Sequence, residues 1–270
     1  MPHPAPTSAR TIPARPDWAL FLDVDGTLLP IAETPDGVAR SDDLCRILAR
    51  LVPALDGALA LISGRTIANL DRLFAPLTLC AAGLHGLERR GADGRLHLLG
   101  EAAVLDHLRA PLAALAAEDP GLILEDKGRA LALHYRRAPG LAARVKDRIT
   151  DLVAESRDEL RLIQGKMVVE IKPRHADKGS AVQAFMAEPP FAGRTAVFIG
   201  DDVTDEDGFR AVNAMDGLSI HVGAGEVGRG QVGLAERTVA RYQLSQVEQV
   251  WRWLEATADA LDALREGPTP

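Results

Sequence analysis

The chain has 270 residues, 47% of them hydrophobic and 26% charged, with a formal net charge of −7. That length allows one large domain or two modest ones, and the composition is ordinary for a globular protein. The negative balance argues against non-specific binding to nucleic acid or an anionic membrane, and no apolar run approaches the ~18 residues a spanning helix needs.

Residues 1–16 are rich in Pro, Ala and Arg and lack the apolar segment of a secretory signal. A disordered tail is expected there. Ala19 to Leu22 reads as a buried parallel strand, ending in Asp23-Val24-Asp25-Gly26-Thr27. A polar loop over 30–40 leads to a helix from Asp42 to Leu51, with Ser41 as N-cap. Ala58 to Ile62 is a second strand, ending in Ser63-Gly64-Arg65, with a helix from Thr66 through Leu73. Leu77 to Ala82 is a third, ending in Gly83-Leu84-His85-Gly86. Alternating strand and helix predicts a parallel, doubly wound sheet. Cys45 and Cys80 lie in apolar contexts and read as buried structural thiols.

The pattern then changes. A strand over 95–99 and a helix over 102–117 precede a hairpin, Leu122 to Glu125 and Ala130 to Arg136, turned by Asp126-Lys127-Gly128-Arg129. A helix over 141–155 precedes a second strand pair, Leu160 to Ile163 and Met167 to Ile171. This doubled helix-hairpin unit predicts an inserted α+β domain. Alternation then resumes: a helix from Lys178 to Met186, a strand from Thr195 to Ile199 running into Gly200-Asp201-Asp202-Val203-Thr204-Asp205-Glu206, a helix over 206–214, and a strand from Leu218 to Val222. A last helix over 245–264 carries Trp251 and Trp253, read as packing residues.

Carboxylates are rarely buried without a partner. Asp23 and Asp25 at a strand end fit either an Asx-turn or a site that uses their charge. Sites in open α/β sheets lie beyond the carboxyl ends of strands. Three such ends here carry polar clusters: Asp23/Asp25, Ser63-Gly64-Arg65 and Asp201/Asp202/Asp205. Aspartates from separate strands supply the hard oxygen ligands that Mg²⁺ prefers, and Mg²⁺ commonly accompanies phosphate substrates. Lys178 would open a helix, where a cation is disfavoured, so an anion or acid is expected beside it.

Asp23-Val24-Asp25-Gly26-Thr27, Ser63, Lys178 and Gly200-Asp201-Asp202-x-x-Asp205 resemble, in order, the four motifs of the haloacid-dehalogenase-like (HAD) phosphohydrolases. A narrower set resembles the trehalose-6-phosphate phosphatases: Ile62-Ser63-Gly64-Arg65, Gly83-Leu84-His85-Gly86-Leu87-Glu88, Glu125-Asp126-Lys127, His134-Tyr135-Arg136, Glu170-Ile171-Lys172-Pro173 and Asp201-Asp202-x-Thr204-Asp205-Glu206. The resemblance implies a Rossmann-like HAD core over 17–87 and 173–265, with a mobile α+β cap inserted at 88–172. It implies Asp23 as nucleophile, forming an aspartyl-phosphate, Asp25 as acid and then base, and Lys178 and Ser63 as holders of the phosphoryl oxygens, aided by N–H groups near Asp25 and Gly26. Mg²⁺ is expected on Asp23, Asp201 and the main-chain carbonyl of Asp25. Asp202 and Asp205 would either ligate through water or orient Lys178.

Gly64 and Arg65 belong to the expected phosphate-side contacts, although Arg65 fits better as a tie for its own loop. Glu125, Lys127 and Glu170 are the expected sugar contacts. For Arg136 and His134, a solvated, salt-bridged sheet face explains them equally well. His85 reads as a packed, hydrogen-bonded residue. The implied reaction is Mg²⁺-dependent hydrolysis of trehalose 6-phosphate. The rivals are a phosphatase for a sucrose or mannosyl phosphate, a phosphomutase and a non-catalytic sensor. The partner expected is a small sugar phosphate, with no nucleic acid and no membrane, for a cytoplasmic monomer.

Overall fold

A computed structural model describes residues 7–31, 41–165, 167–223, 226–227 and 236–266. Its strands are β1 (Thr7–Ser8), β2 (Trp18–Leu22), β3 (Leu59–Ile62), β4 (Cys80–Gly83), β5 (Glu88–Arg90), β6 (Leu96–Leu98), β7 (Ile123–Asp126), β8 (Leu131–His134), β9 (Leu160–Gly165), β10 (Val168–Pro173), β11 (Thr195–Gly200), β12 (Leu218–Val222), β13 (Glu226–Val227), β14 (Glu236–Arg237) and β15 (Tyr242–Leu244). Its α-helices are α1 (Asp42–Ala54), α2 (Ile67–Phe74), α3 (Asp106–Ala116), α4 (Ala142–Leu152), α5 (Lys178–Met186), α6 (Asp205–Ala214) and α7 (Val247–Glu266). The chain divides into two compact units, Met1–His97 with Asp177–Pro270, and Leu98–Ala176.

The first unit is a sheet in the order β1-β15-β12-β11-β2-β3-β4-β5-β6. From β1 to β4 every neighbouring pair is parallel, and β5 turns back antiparallel on β4. The central strands are apolar runs because both their faces are covered. Alternation splits each run between two cores. Leu20, Leu22, Leu59, Leu61, Val197 and Ile199 meet residues of α1, α2 and α7 on one face. Ala19, Phe21, Ala60, Ile62, Ala196 and Phe198 meet residues of α5 and α6 on the other. Each fully buried Leu or Phe contributes roughly 1.5–3 kcal/mol relative to exposure.

The helices start where their side chains can satisfy open N–H groups. The Ser41 hydroxyl accepts from Leu44 N–H before α1. Thr66 caps α2, and Asp177 and Ser180 form a reciprocal capping box on α5. At the other end of the chain, α7 presents Val250, Trp253, Leu254, Ala258 and Leu261 to the core. The Trp253 ring stacks on Trp18 at 5.5 Å, and the Trp251 indole N–H donates to the Leu28 carbonyl at 2.7 Å. Both tryptophans of α7 thus pack, as expected.

The expected tail over 1–16 needs correction where it is described. Thr7–Ser8 adds a strand to the sheet beside β15. Ala9 is fully buried, and its carbonyl accepts the Trp253 indole N–H. The compositional argument counts no such tertiary partners. Residues 1–6, and residues 32–40 of the polar loop expected over 30–40, lie outside the described residues.

The second unit is a four-stranded antiparallel sheet, β7-β8-β10-β9. Leu131, Leu133, Tyr135, Val169 and Ile171 pack on one face with Leu108, Leu112 and Leu115 of α3 and Val145 and Ile149 of α4. By alternation, His134 and Glu170 lie on the other face. The expected helix over 102–117 begins later, as a 3₁₀ turn over Ala102–Leu105 precedes α3. The division at 98 and 176 also differs from the expected 88 and 172. β5 carries its residues into the first unit by hydrogen bonding to β4.

Candidate active site

The carboxyl ends of β2, β3 and β11 lie on one edge of the parallel sheet, so Asp23, Ser63 and Asp201 leave it side by side. Asp23 is 4% exposed. Its Oδ1 accepts from Lys178 Nζ at 2.7 Å, and the same ammonium donates to Asp205 Oδ1 at 2.6 Å. A buried ammonium costs several kcal/mol unless its charge is met, and two carboxylates meet it here. Burial pulls the Lys178 ammonium down, but the charges and hydrogen bonds of Asp205 and Asp23 outweigh it and hold the group above the usual lysine range. The cation at the start of α5 thus has the acidic neighbours its position required.

Asp205 is fully buried. Burial, then the Asp23 and Asp201 charges, push its carboxyl well above the usual range against the downward pull of Lys178. Its other oxygen accepts from the main-chain N–H groups of Asp201 and Asp202, at 3.0 and 2.9 Å. Three donors favour the carboxylate. Of the two roles open to Asp205, the geometry gives it the orientation of Lys178, together with bracing of the loop that carries Asp201. Asp202 is half-buried and contributes its N–H to that brace.

Carboxylate oxygens of Asp23, Asp201 and Asp205 lie within 4.8 Å of one another. These hard oxygens suit a divalent cation such as Mg²⁺. The backbone allows the close approach of these groups. Gly26 has φ +90°, and a Cβ there would lie 2.2 Å from Asp201 Oδ2. Only glycine lets the turn after Asp25 adopt this conformation and approach Asp201 so closely. The Thr27 hydroxyl, fully buried, donates to Asp201 Oδ1 at 3.4 Å. Because both Asp205 oxygens are engaged, Asp23 and Asp201 are the carboxylates suited to a cation. The carboxylate of Asp25 is engaged by Arg65.

Ser63 is buried, and its hydroxyl accepts from Arg65 N–H at 3.2 Å. Arg65 places Nε and Nη2 on the two oxygens of Asp25, each at 2.7 Å, and Nη1 on Asn69 Oδ1 at 2.8 Å. Arg65 thus ties more than its own loop, because it grips the second acid of the first motif. The N–H of Gly26 donates to the Leu29 carbonyl at 2.7 Å. It is therefore spent within the turn, which corrects the expectation of a phosphoryl donor at that position.

Leu84, His85 and Gly86 have φ of 50°, 54° and 100°. Left-handed backbone costs an L-residue roughly 1–2 kcal/mol. The surroundings impose it: Leu84 N–H donates to Arg65 O and His85 N–H to Ser63 O, both at 2.9 Å. The imidazole lies against Gly64, where a Cβ would come 2.6 Å from His85 Nε2. His85 is packed, as expected, and Gly64 is half-buried beneath it. Neither the left-handed turn nor Asn69 was foreseen. Leucine gives no signal of a positive φ, and Arg65 lies before the Thr66 cap of α2, so its reach to Asn69 is not a spacing within the helix.

In the second unit the sugar-side candidates pair with one another. Lys127 Nζ meets Glu170 Oε2 at 3.0 Å, with side-chain exposures of 11% and 8%. That pair is buried, so a solvated face does not describe it. His134 Nε2 meets Glu125 Oε2 at 3.0 Å. Burial raises the Glu125 carboxyl, but the His134 hydrogen bond and the Lys127 charge hold it below its usual range. Across the strands Glu125, Ala132 and Glu170 stand in register. Arg136 is half-buried beyond the end of β8. Cys45 and Cys80 are free thiols, the first buried and the second half-buried. Among the described residues no helix is long and apolar enough to cross a membrane.

A sequence model of the trehalose-phosphatase family matches residues 21–241. A probable trehalose-phosphate phosphatase of Sinorhizobium fredii is 50% identical over 207 residues, covering 77% of this chain and 78% of that protein. The trehalose-6-phosphate phosphatase of Escherichia coli is 44% identical over 253 residues, covering 92% and 90%. The C-terminal domain of a Candida albicans trehalose-6-phosphate phosphatase shares the fold, with a TM-score of 0.80 at 23% identity over 95% of this chain and 99% of that one.

Proposed function

The chain belongs to the trehalose-phosphatase family of phosphoric monoester hydrolases, and on that premise we propose that it hydrolyses trehalose 6-phosphate to trehalose and phosphate through an aspartyl-phosphate on Asp23. The observation that carries the reading is the buried Asp23–Lys178–Asp205 triad beside Asp201. A carboxylate this buried is retained where chemistry needs it.

In the proposed reaction Asp23 attacks phosphorus and the bond to the sugar oxygen breaks. Asp25 gives its proton to that oxygen, and trehalose leaves. Asp25 then takes a proton from the water that attacks the aspartyl-phosphate, releasing phosphate and restoring Asp23. Lys178 spends two of its three N–H bonds on Asp23 and Asp205, which leaves the third for a phosphoryl oxygen. Ser63 offers its hydroxyl to another. Mg²⁺, held by Asp23, Asp201 and the carbonyl of Asp25, would offset the repulsion between two anions as they meet. Glu125, Lys127 and Glu170 would take the sugar hydroxyls, with Arg136 beside them. A cytoplasmic monomer acting on a small sugar phosphate completes the proposal.

Phosphate release across trehalose 6-phosphate, sucrose 6-phosphate, glucose 6-phosphate and mannosyl phosphates, with Mg²⁺ and with chelator, tests it. Trehalose 6-phosphate is expected to be preferred by roughly 10²-fold or more, as a site built to hydrogen-bond hydroxyls discriminates strongly. Chelation is expected to stop release. Preference for another sugar would overturn the substrate, and release undiminished by chelation would overturn the cation.

Glu170→Ala should lower kcat/KM on trehalose 6-phosphate about 10²-fold while costing a small aryl phosphate less than about threefold, since the variant removes a carboxylate proposed to hold sugar hydroxyls together with its ion pair to Lys127. Equal losses on both substrates would remove Glu170 from sugar recognition.

A further inference from the structure

We infer that Arg65 is a positioning residue for Asp25, fixing the side chain that the proposed reaction uses as acid and then as base. The inference rests on that reading of Asp25, and the test below separates the two.

The geometry is specific. A guanidinium offers a rigid fork that matches a carboxylate at two points, and Arg65 uses it on both oxygens of Asp25 at 2.7 Å. The remaining nitrogen is held by Asn69 Oδ1 at 2.8 Å, so the fork is anchored to α2. The Arg65 side chain is 10% exposed and that of Asp25 is 36% exposed. Only one member of the pair is therefore open to its surroundings, as expected for a group that must meet a substrate.

The main chain of Arg65 is fixed independently. Its N–H donates to Ser63 Oγ, and its carbonyl accepts from Leu84 in the left-handed turn. Strain of this kind persists where surrounding structure over-determines it, and it concentrates at functional sites. Here it holds residues 63–65, which carry both a proposed phosphoryl contact and the grip on the acid. Ser63 and Asp25 are thereby set relative to one another through one residue. A misplacement of ~1 Å at a reacting group can cost 10²-fold.

The test compares leaving groups. A proton donor matters most when the departing oxygen is strongly basic, as in a sugar alkoxide, and least for a nitrophenolate. The first-turnover rate of leaving-group release, which precedes any use of Asp25 as base, is measured for trehalose 6-phosphate and p-nitrophenyl phosphate. The enzymes are the parent, Asp25→Asn, Arg65→Met, Arg65→Lys, Asn69→Ala and the Asp25→Asn/Arg65→Met double variant.

Arg65→Met is expected to slow the sugar substrate 10- to 100-fold and the aryl substrate less than threefold. Arg65→Lys, which keeps charge and loses the fork, should recover only part of that loss. Asn69→Ala should show the same leaving-group bias at a few-fold, and it carries the test should the Arg65 variants not fold. The double variant should be no slower than Asp25→Asn alone, because residues acting through one group are not additive. Equal losses on the two substrates, or additivity in the double variant, would overturn the positioning role. Asp25→Asn releasing sugar at the parent rate would instead overturn Asp25 as donor.

Discussion

Asp23→Asn should lower phosphate release from every substrate by at least about 10⁴-fold, the scale of losing a nucleophile that acts within a catalytic unit. An amide does not displace a phosphate ester oxygen at a useful rate, and nearby acids cannot substitute. Asp205 gives one oxygen to Lys178 and the other to two main-chain N–H groups, and Asp25 is gripped by Arg65. The fold should survive. The amide removes one negative charge from three crowded carboxylates, and Lys178 keeps Asp205 as its partner. The melting temperature is therefore expected to stay within a few degrees of the parent. Phosphate release within a hundredfold of the parent by a folded Asp23→Asn sample would remove Asp23 as nucleophile. Loss of the fold would instead show that the carboxylate is structural.

Lys178→Met should cost both stability and activity, and pH should separate the two. The side chain keeps most of its length, but Asp23 and Asp205 lose their cation in a site where both are buried. Breaking a buried pair by removing one partner costs roughly 3–5 kcal/mol. In the parent, the lysine group is raised on folding. Its contribution is therefore complete below the unfolded value of about 10.4 and is lost only as pH rises through the higher folded value. In the variant Asp205, which burial and the Asp23 charge push up, loses the lysine that pulls it down and binds its proton more tightly folded than unfolded, so stability increases as pH falls. Denaturation in Mg²⁺-free buffer at pH 8 and pH 5 should show a deficit that narrows at pH 5. Activity should remain down by about 10²-fold or more at both, because the phosphoryl donor is gone. A deficit equal at the two pH values would mean that Lys178 stabilises the fold by packing, with its charge irrelevant.

The first unit was legible in the sequence because its signals are local. A fully apolar strand such as Trp18–Leu22 announces burial on both faces, and acids at its end announce a use for charge. Lys178 was readable for the opposite reason, as a cation where a helix disfavours one. What remained hidden depended on partners distant in the chain. Arg65 and Asp25 are separated by 40 positions, and nothing in either segment names the other. Thr7–Ser8 became a strand because β15 offered an open edge. Leu84 and His85 took left-handed backbone to reach two carbonyls of another strand end. The unit boundaries were displaced because β5, too short to show alternation, is defined by its hydrogen bonds to neighbouring strands, among them β4.

The packing of α7 onto the start of the chain also decides what light can report. The three tryptophans of the sequence are Trp18, Trp251 and Trp253, and all lie in the first unit, two of them in the stacked pair. Leu98–Ala176 holds none, and Tyr135 is its one tyrosine. Emission excited at the indole band thus watches the sheet that carries Asp23 and is blind to the inserted unit. Circular dichroism sees both. If the two signals separate during denaturation, the inserted unit melts on its own; if they coincide, the chain unfolds as one cooperative body.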